Sequence, residues 1–226
     1  MKDSAATIEP GLRGRKKARR RDEIIAAARE LFAEQGIDGT TMADIAAAAE
    51  VSAATVFNYF GSKDGILVAM ITEGVAAARE NDRGTHLREG ADLTTLFTGI
   101  FMRVNAQTLA VAGKRVWRYA EAAAIRHPRT ALADEFRNVS KALHEVIVEI
   151  LSDIELETRA GIECPLDYLA SVLIDLWSAC FIRLITAENM PQDEYEDMVR
   201  GRFAPLVTLL FTERCAAAPR VTIRKK

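Results

Sequence analysis

An all-α protein is the fold class this sequence predicts, and three observations carry that expectation. Apolar residues recur three and four apart over most of the 226 residues, no segment of weight alternates with period two, and the breaks between helical patterns are short and marked by Gly, Pro or a capping hydroxyl. Hydrophobic residues make up 49% of the chain, enough to bury one large core or two modest ones.

The N-terminal part is polarised in charge. Net charge is −2 with pI about 6.0, yet Gly11–Arg21 reads GLRGRKKARRR, seven positive charges with no acid among them. Residues 1–18 read as a basic disordered arm that neutralises phosphates or reaches into a minor groove. The first helix is expected to begin near Lys17 and run to Glu34, with Ile24, Ala28, Leu31 and Phe32 on one stripe, and Gly36 ends it. Thr41 then caps Met42–Ala49, in which Met42, Ile45, Ala46 and Ala49 share a face. Glu50-Val51 is too short for anything but a tight corner. Ser52 caps a following helix, Ala53–Tyr59, whose Val56 and Phe60 face inward while Ala53, Ala54, Thr55, Phe57, Asn58 and Tyr59 spread over the remaining surface. Two such helices around a tight corner make a helix-turn-helix, and the second fits the major groove of B-DNA. Ser62 caps a fourth helix with Leu67, Met70, Ile71 and Val75 on its apolar side, running to about Glu80.

The arm, LFAEQGIDGTT at the end of the first helix, T-x-x-x-I-A-x-x-A-x-V-S from Thr41 and T-x-x-x-Y-F-x-S-K from Thr55 together resemble the TetR family of bacterial transcription regulators. The resemblance covers about residues 19–70; beyond it only the all-helical plan is shared. It implies a helix-turn-helix DNA-binding domain over 19–65, a helical effector-binding and dimerisation domain over 66–215 and a tail over 216–226. It further implies that Thr41, Thr55, Tyr59 and Lys63 hold phosphates, and that Ala53, Ala54, Phe57 and Asn58 face bases. Arg19 and Ser52 complete the DNA-binding set. Two positions depart from the family pattern. Glu50 stands where glycine usually turns the corner, so either the corner differs or Glu50 tolerates a conformation that glycine adopts more easily. Gly65 stands where a helix-favouring residue is usual.

Asn81–Ala91 is polar with two glycines and reads as a loop. Helices are then expected over about Asp92–Ala112, Lys114–Arg126, a six-turn pattern from Leu132 to Ile154, Pro165–Ala187 and Asp193–Arg214, the last kinked at Pro205. In the first two of these, polar residues interrupt apolar faces, and Phe101, Asn105, Thr108, Trp117 and Glu121 are the candidate lining of a small-molecule site. The segment Pro165–Ala187 is apolar on nearly every side, which one buried face does not explain, so a second subunit is expected against it. Leu169, Leu173, Leu176, Trp177, Cys180, Phe203, Leu206 and Leu210 are the candidate interface.

Other classes find little support. HExxH, P-loop, GxGxxG, CxxC and GxSxG patterns are absent from the sequence. His86, His127 and His144 share no ligating or triad spacing, and Cys164, Cys180 and Cys215 sit in apolar contexts, so no enzyme, cofactor or metal is expected. No run of apolar residues reaches the roughly 18 that span a bilayer and no export signal opens the chain, which makes the cytoplasm the expected location. A helical small-molecule carrier would leave the arm and motif without purpose. A non-specific architectural DNA-binding protein would leave the large helical domain without one. The expected function is a homodimeric repressor on a near-palindromic operator of double-stranded DNA, released by a largely apolar effector.

Overall fold

The computed structural model describes residues 11–82 and 90–221; the expected arm before residue 11, loop residues 83–89 and tail residues 222–226 lie outside the described residues. The chain forms two compact units that meet in sequence between Met70 and Ile71.

The first unit contains α1 (Leu12–Gly39), α2 (Met42–Ala48), α3 (Ala53–Phe60) and the start of α4 (Lys63–Asp82). Helix α1 begins at Leu12, well before Lys17, so the described part of the arm is helical rather than disordered. Arg, Lys and Ala are good helix formers, and the Glu23 carboxylate lies 3.4 Å from both Arg19 and Arg20, at i,i+4 and i,i+3. The helix breaks at Gly36, which takes φ 79°, and the Thr40 hydroxyl donates to the Gly36 carbonyl at 2.7 Å. A capping box then starts α2: Asp44 N–H donates to Thr41 Oγ1 (3.1 Å) and Thr41 N–H to Asp44 Oδ2 (2.8 Å). These Thr41 donors hold the Asp44 carboxyl below its ordinary range.

The α2–α3 corner is a Schellman motif, in which Val51 N–H donates to Ala46 O (2.9 Å) and Glu50 N–H to Ala47 O (3.2 Å). The motif places Glu50 in the left-handed region at φ 53°. Of the two alternatives the sequence leaves open, Glu50 therefore tolerates the glycine conformation. Glu50→Gly is expected to stabilise the protein by roughly 0.5–1 kcal/mol, the left-handed cost of a side chain less the extra backbone freedom glycine gains when unfolded. A thermal melt checks the sign. Ile24, Ala28, Phe32, Ile45, Val56, Ile66, Leu67 and Met70 are fully buried and make this unit's core.

The second unit contains α5 (Leu93–Val111), α6 (Lys114–Arg126), α7 (Ala131–Ser152), β1 (Ile154–Glu155), α8 (Leu166–Thr186), α9 (Gln192–Leu210), α10 (Glu213–Ala217) and β2 (Arg220–Val221). Asp92, Thr130 and Thr212 accept N–H bonds as N-caps of α5, α7 and α10. Helix α9 continues through Pro205 but stops at Leu210, short of Arg214, because Phe211 turns extended and Thr212 caps a new helix. The antiparallel pair β1–β2, with Ile154 opposite Val221, has no counterpart in the sequence expectation; strands of two residues are too short to show alternation.

Helices α5 and α9 pack together, as do α7 and α8, and α8 also packs on α6 and α9. Phe101 and Phe203 approach at 5.3 Å between ring centroids, and Phe97 meets Phe203 and Phe211 at 6.3 and 6.4 Å. This packing corrects the expected interface. Leu169, Leu173, Trp177, Cys180 and Phe203 are buried within the unit's own core, Leu176 and Leu206 are half-buried, and only Leu210 is exposed. Three neighbouring helices cover α8, so most of its all-round apolar character is used inside one chain. Among the described residues α8 alone is long and apolar enough to cross a membrane by length and composition, contrary to the sequence expectation, but its buried face belongs to this core.

Candidate nucleic-acid interface

The sequence of α3 is small and polar at its start and aromatic at its end, and Ser52 fixes where it begins by accepting Thr55 N–H at 3.2 Å. Because Val56 is fully buried, the helix turns Ala53, Ala54, Phe57 and Asn58 outward. Phe57, a large apolar side chain, is 51% exposed. An outward-facing set of two alanines, a phenylalanine and an amide can meet a major groove: the alanines allow close approach, Phe57 offers apolar contact to a thymine methyl and Asn58 can hydrogen-bond a base edge.

Beside this face lies an open groove of about 680 Å³, lined by Arg13, Gly14, Lys16, Lys17, Arg20, Thr55 and Tyr59. Its four cations stand at i, i+3, i+4 and i+7 on α1 and so form one stripe. Thr55 and Tyr59 are half-buried on the opposite wall, and the Tyr59 hydroxyl donates to the Lys17 carbonyl at 3.4 Å. Cations and hydroxyls along a groove suit a phosphate backbone. Reading the segment as a disordered arm hides this stripe, although its helical spacing is visible in the sequence.

Lys63, Arg19 and Thr41, all expected to contact DNA, are engaged within the chain. Lys63 turns inward: its ammonium donates to the carbonyls of Ile37 (2.6 Å) and Thr40 (2.9 Å), tying the end of α1 to the start of α4. This corrects its expected role, because those carbonyls at the broken end of α1 need donors more than a surface lysine needs a phosphate. Arg19 is exposed and paired with Glu23 rather than lining the groove. Thr41 serves the capping box while remaining exposed.

Residues 24–70, covering nearly the whole first unit after the basic stretch, match the family described as bacterial regulatory proteins, tetR family. By this match the first unit is that of the TetR family. Its N-terminal region is 45% identical over 74 residues to the HTH-type transcriptional regulator TcmR of Streptomyces glaucescens, covering 31% of this chain and 33% of that one. It is 39% identical over 69 residues to the HTH-type transcriptional repressor Rv3405c of Mycobacterium tuberculosis, covering 29% and 37%. The chain thus matches little more than a third of the length of these curated relatives. The likeness of fold extends further: Thermus thermophilus FadR, a TetR-family repressor solved with lauroyl-CoA, superposes with TM-score 0.57 over 83% of this chain and 93% of its own, at 24% identity.

The second unit brings the expected small-molecule residues partly together. Phe101, Asn105 and Thr108 share one face of α5, and the Trp117 indole N–H, from α6, donates to the Thr108 carbonyl at 2.7 Å. Phe101 and Trp117 are buried, and Asn105 is buried to 92%, its Oδ1 without a hydrogen-bond partner. Glu121, one turn beyond Trp117, is half-buried, and burial pushes its carboxyl above the ordinary range. Sequence reasoning misses Trp177 and Phe181 as neighbours of this set. It places Trp177 in the subunit interface, and α8 gives no sequence signal for which of its many apolar faces meets which helix.

Proposed function

We propose that this TetR-family chain is a sequence-specific, cytoplasmic, homodimeric repressor that binds a near-palindromic operator and leaves it when a small effector enters the second unit. The observation that carries the DNA-binding part is the outward face of α3 set beside the basic stripe of α1. In this reading Ala53, Ala54, Phe57 and Asn58 meet bases. Arg13, Lys16, Lys17, Arg20, Thr55 and Tyr59 hold the flanking phosphates.

Two half-sites one helical turn apart require two such units. The unused apolar positions of the last long helices suit a second copy. On α8, Tyr168, Val172, Ala179 and Ile182 lie on one exposed or half-exposed stripe, with the charged Asp175 at its middle, and on α9 Leu209 is 74% and Leu210 42% exposed. Leu209→Asp is expected to leave the fold intact and yield a monomer in sedimentation, with operator affinity down by about 10³-fold, the lower end of the specific-to-non-specific range. A stable Leu209→Asp dimer with full affinity places the second copy elsewhere.

Release of operator calls for a path out of the second unit, and α4 is one continuous helix across the boundary at Met70 and Ile71. Its second half is tied to that unit by the Thr72 hydroxyl, which donates to Glu135 at 2.6 Å, and at Gly74, where an added Cβ would stand 2.4 Å from both Val111 methyls. An effector that parts α5 from its neighbours therefore displaces α4. A coupling of about 1–3 kcal/mol suffices for an ordinary response. Gel shifts with the chain's own promoter DNA against scrambled DNA at two salt concentrations test the reading. Preference for the promoter that persists at the higher salt supports a specific regulator. Equal, steeply salt-dependent binding indicates an architectural protein, and no binding indicates a carrier.

A further inference from the structure

Four aromatic rings from three helices meet on the face of α5 that carries a buried acceptor without a donor, Asn105 Oδ1. Phe101 of α5 meets Trp177 of α8 at 5.6 Å, Trp177 stacks on Phe181 at 5.1 Å, and Phe181 meets the edge of Trp117 of α6 at 6.3 Å. The Trp117 indole N–H returns to the Thr108 carbonyl on α5. Asn105 lies between Phe101 and Thr108 on that same face, four residues after one and three before the other, so it stands on the side of α5 that the circuit meets. Its Oδ1 has no donor, in a place 92% removed from solvent.

A buried acceptor without a donor is costly to a protein core, while an apolar side chain of similar size costs nothing of the kind. Faces of aromatic rings favour flat partners and edge-on contacts, and all four rings here are carbon-rich surfaces with no competing acceptor. Resting on the effector-site reading above, we infer that this circuit takes a flat aromatic molecule whose hydroxyl or N–H donates to Asn105 Oδ1. The ring system lies against Phe101, Trp177, Phe181 and Trp117, and the donor supplies the hydrogen bond the chain itself does not. Removing water from that bond makes the site reject shape-matched molecules that lack the donor. Trp177 Nε1 on α8 and the Tyr195 hydroxyl on α9 are likewise buried without a well-formed hydrogen bond.

The test uses two probes of nearly equal shape, 2-naphthol and 2-methylnaphthalene, measured by equilibrium dialysis against the full-length protein. An apolar pocket favours the methyl compound, which is the less soluble in water. We expect wild type to bind 2-naphthol at least tenfold more tightly, and Asn105→Leu to reverse the order while melting at the same temperature as wild type or higher. Tighter binding of 2-methylnaphthalene by wild type overturns the donor inference and leaves an apolar site standing, whatever the variant does. Retention of the naphthol preference in Asn105→Leu also overturns it. Failure of wild type to bind either probe, with Trp fluorescence unchanged up to their solubility limits, instead removes the site between these helices altogether.

Discussion

Gly65→Ala is expected to lower the thermal midpoint sharply and to abolish DNA binding at temperatures where wild type is folded. Intrinsic propensity points the other way: in a helix interior alanine is favoured over glycine by about 1 kcal/mol. Geometry overrules it. A Cβ built on Gly65 lies 1.9 Å from the Phe60 carbonyl oxygen and 3.0 Å from its carbon, both backbone atoms that no rotamer can move. The corner between α3 and α4 is that tight because Gly61 ends α3 at φ 70° and Ser62 Oγ accepts Gly65 N–H at 3.1 Å, starting α4 at once. Overpacking a site of this kind costs about 3 kcal/mol or more. The sign of the shift in a chemical or thermal melt decides between the two effects. Stabilisation by Gly65→Ala would mean that the corner is looser than described.

Lys63→Met is expected to be the second most damaging change, for a reason its resemblance-based role does not contain. Two charge-assisted hydrogen bonds, to Ile37 O and Thr40 O, disappear, and the methionine stem keeps only the packing. Each such bond contributes about 1.5–3 kcal/mol, but this site is only part-buried, so a combined loss of about 2–3 kcal/mol is expected. Urea unfolding measures it. Lys63→Arg should recover part of the loss. If Lys63→Met leaves the unfolding midpoint alone and instead makes the salt dependence of DNA binding shallower, the side chain reaches phosphate in solution and the carbonyl contacts are secondary.

How much of the fold and the site is legible in the sequence differs between the two units, for physical reasons. In the first, local signals dominate: Thr41, Ser52 and Ser62 cap the helices expected of them, Gly36 breaks α1, and Val56 against Asn58 fixes which face of α3 turns outward. Even the awkward backbone at Glu50 shows in the sequence, as a side chain where a corner favours glycine. What local signals misplace is Lys63, whose partners lie 23 and 26 residues away; the helical state of the basic stretch is locally encoded, by good helix formers and the spacing of Arg19 and Arg20 from Glu23, but its run of like charge masks it. In the second unit the helices are legible but not their partners. Periodicity shows that α8 is apolar all round without saying that α6, α7 and α9 cover it, so it points Leu173 and Trp177 to another subunit when they face their own. Phe101, Asn105 and Thr108 come together because they share one helical face, with Trp117 tied to it by its bond to the Thr108 carbonyl, whereas Phe181 joins them only through tertiary packing.

The central claim is that α3 reads base sequence, and Asn58 tests it most directly. Fluorescence anisotropy titrations would compare wild type and Asn58→Ala on the promoter operator, on operators with each base pair substituted in turn, and on scrambled DNA, all at one fixed salt. The expected result is a loss on the order of 1–3 kcal/mol per recognised base pair on the operator, little change on scrambled DNA, and indifference of Asn58→Ala to substitution at one symmetric position that wild type discriminates. An equal loss on operator and scrambled DNA, with the position-by-position preference unchanged, would contradict the account: Asn58 would then contact only the backbone, and the outward face of α3 would not be the reading surface.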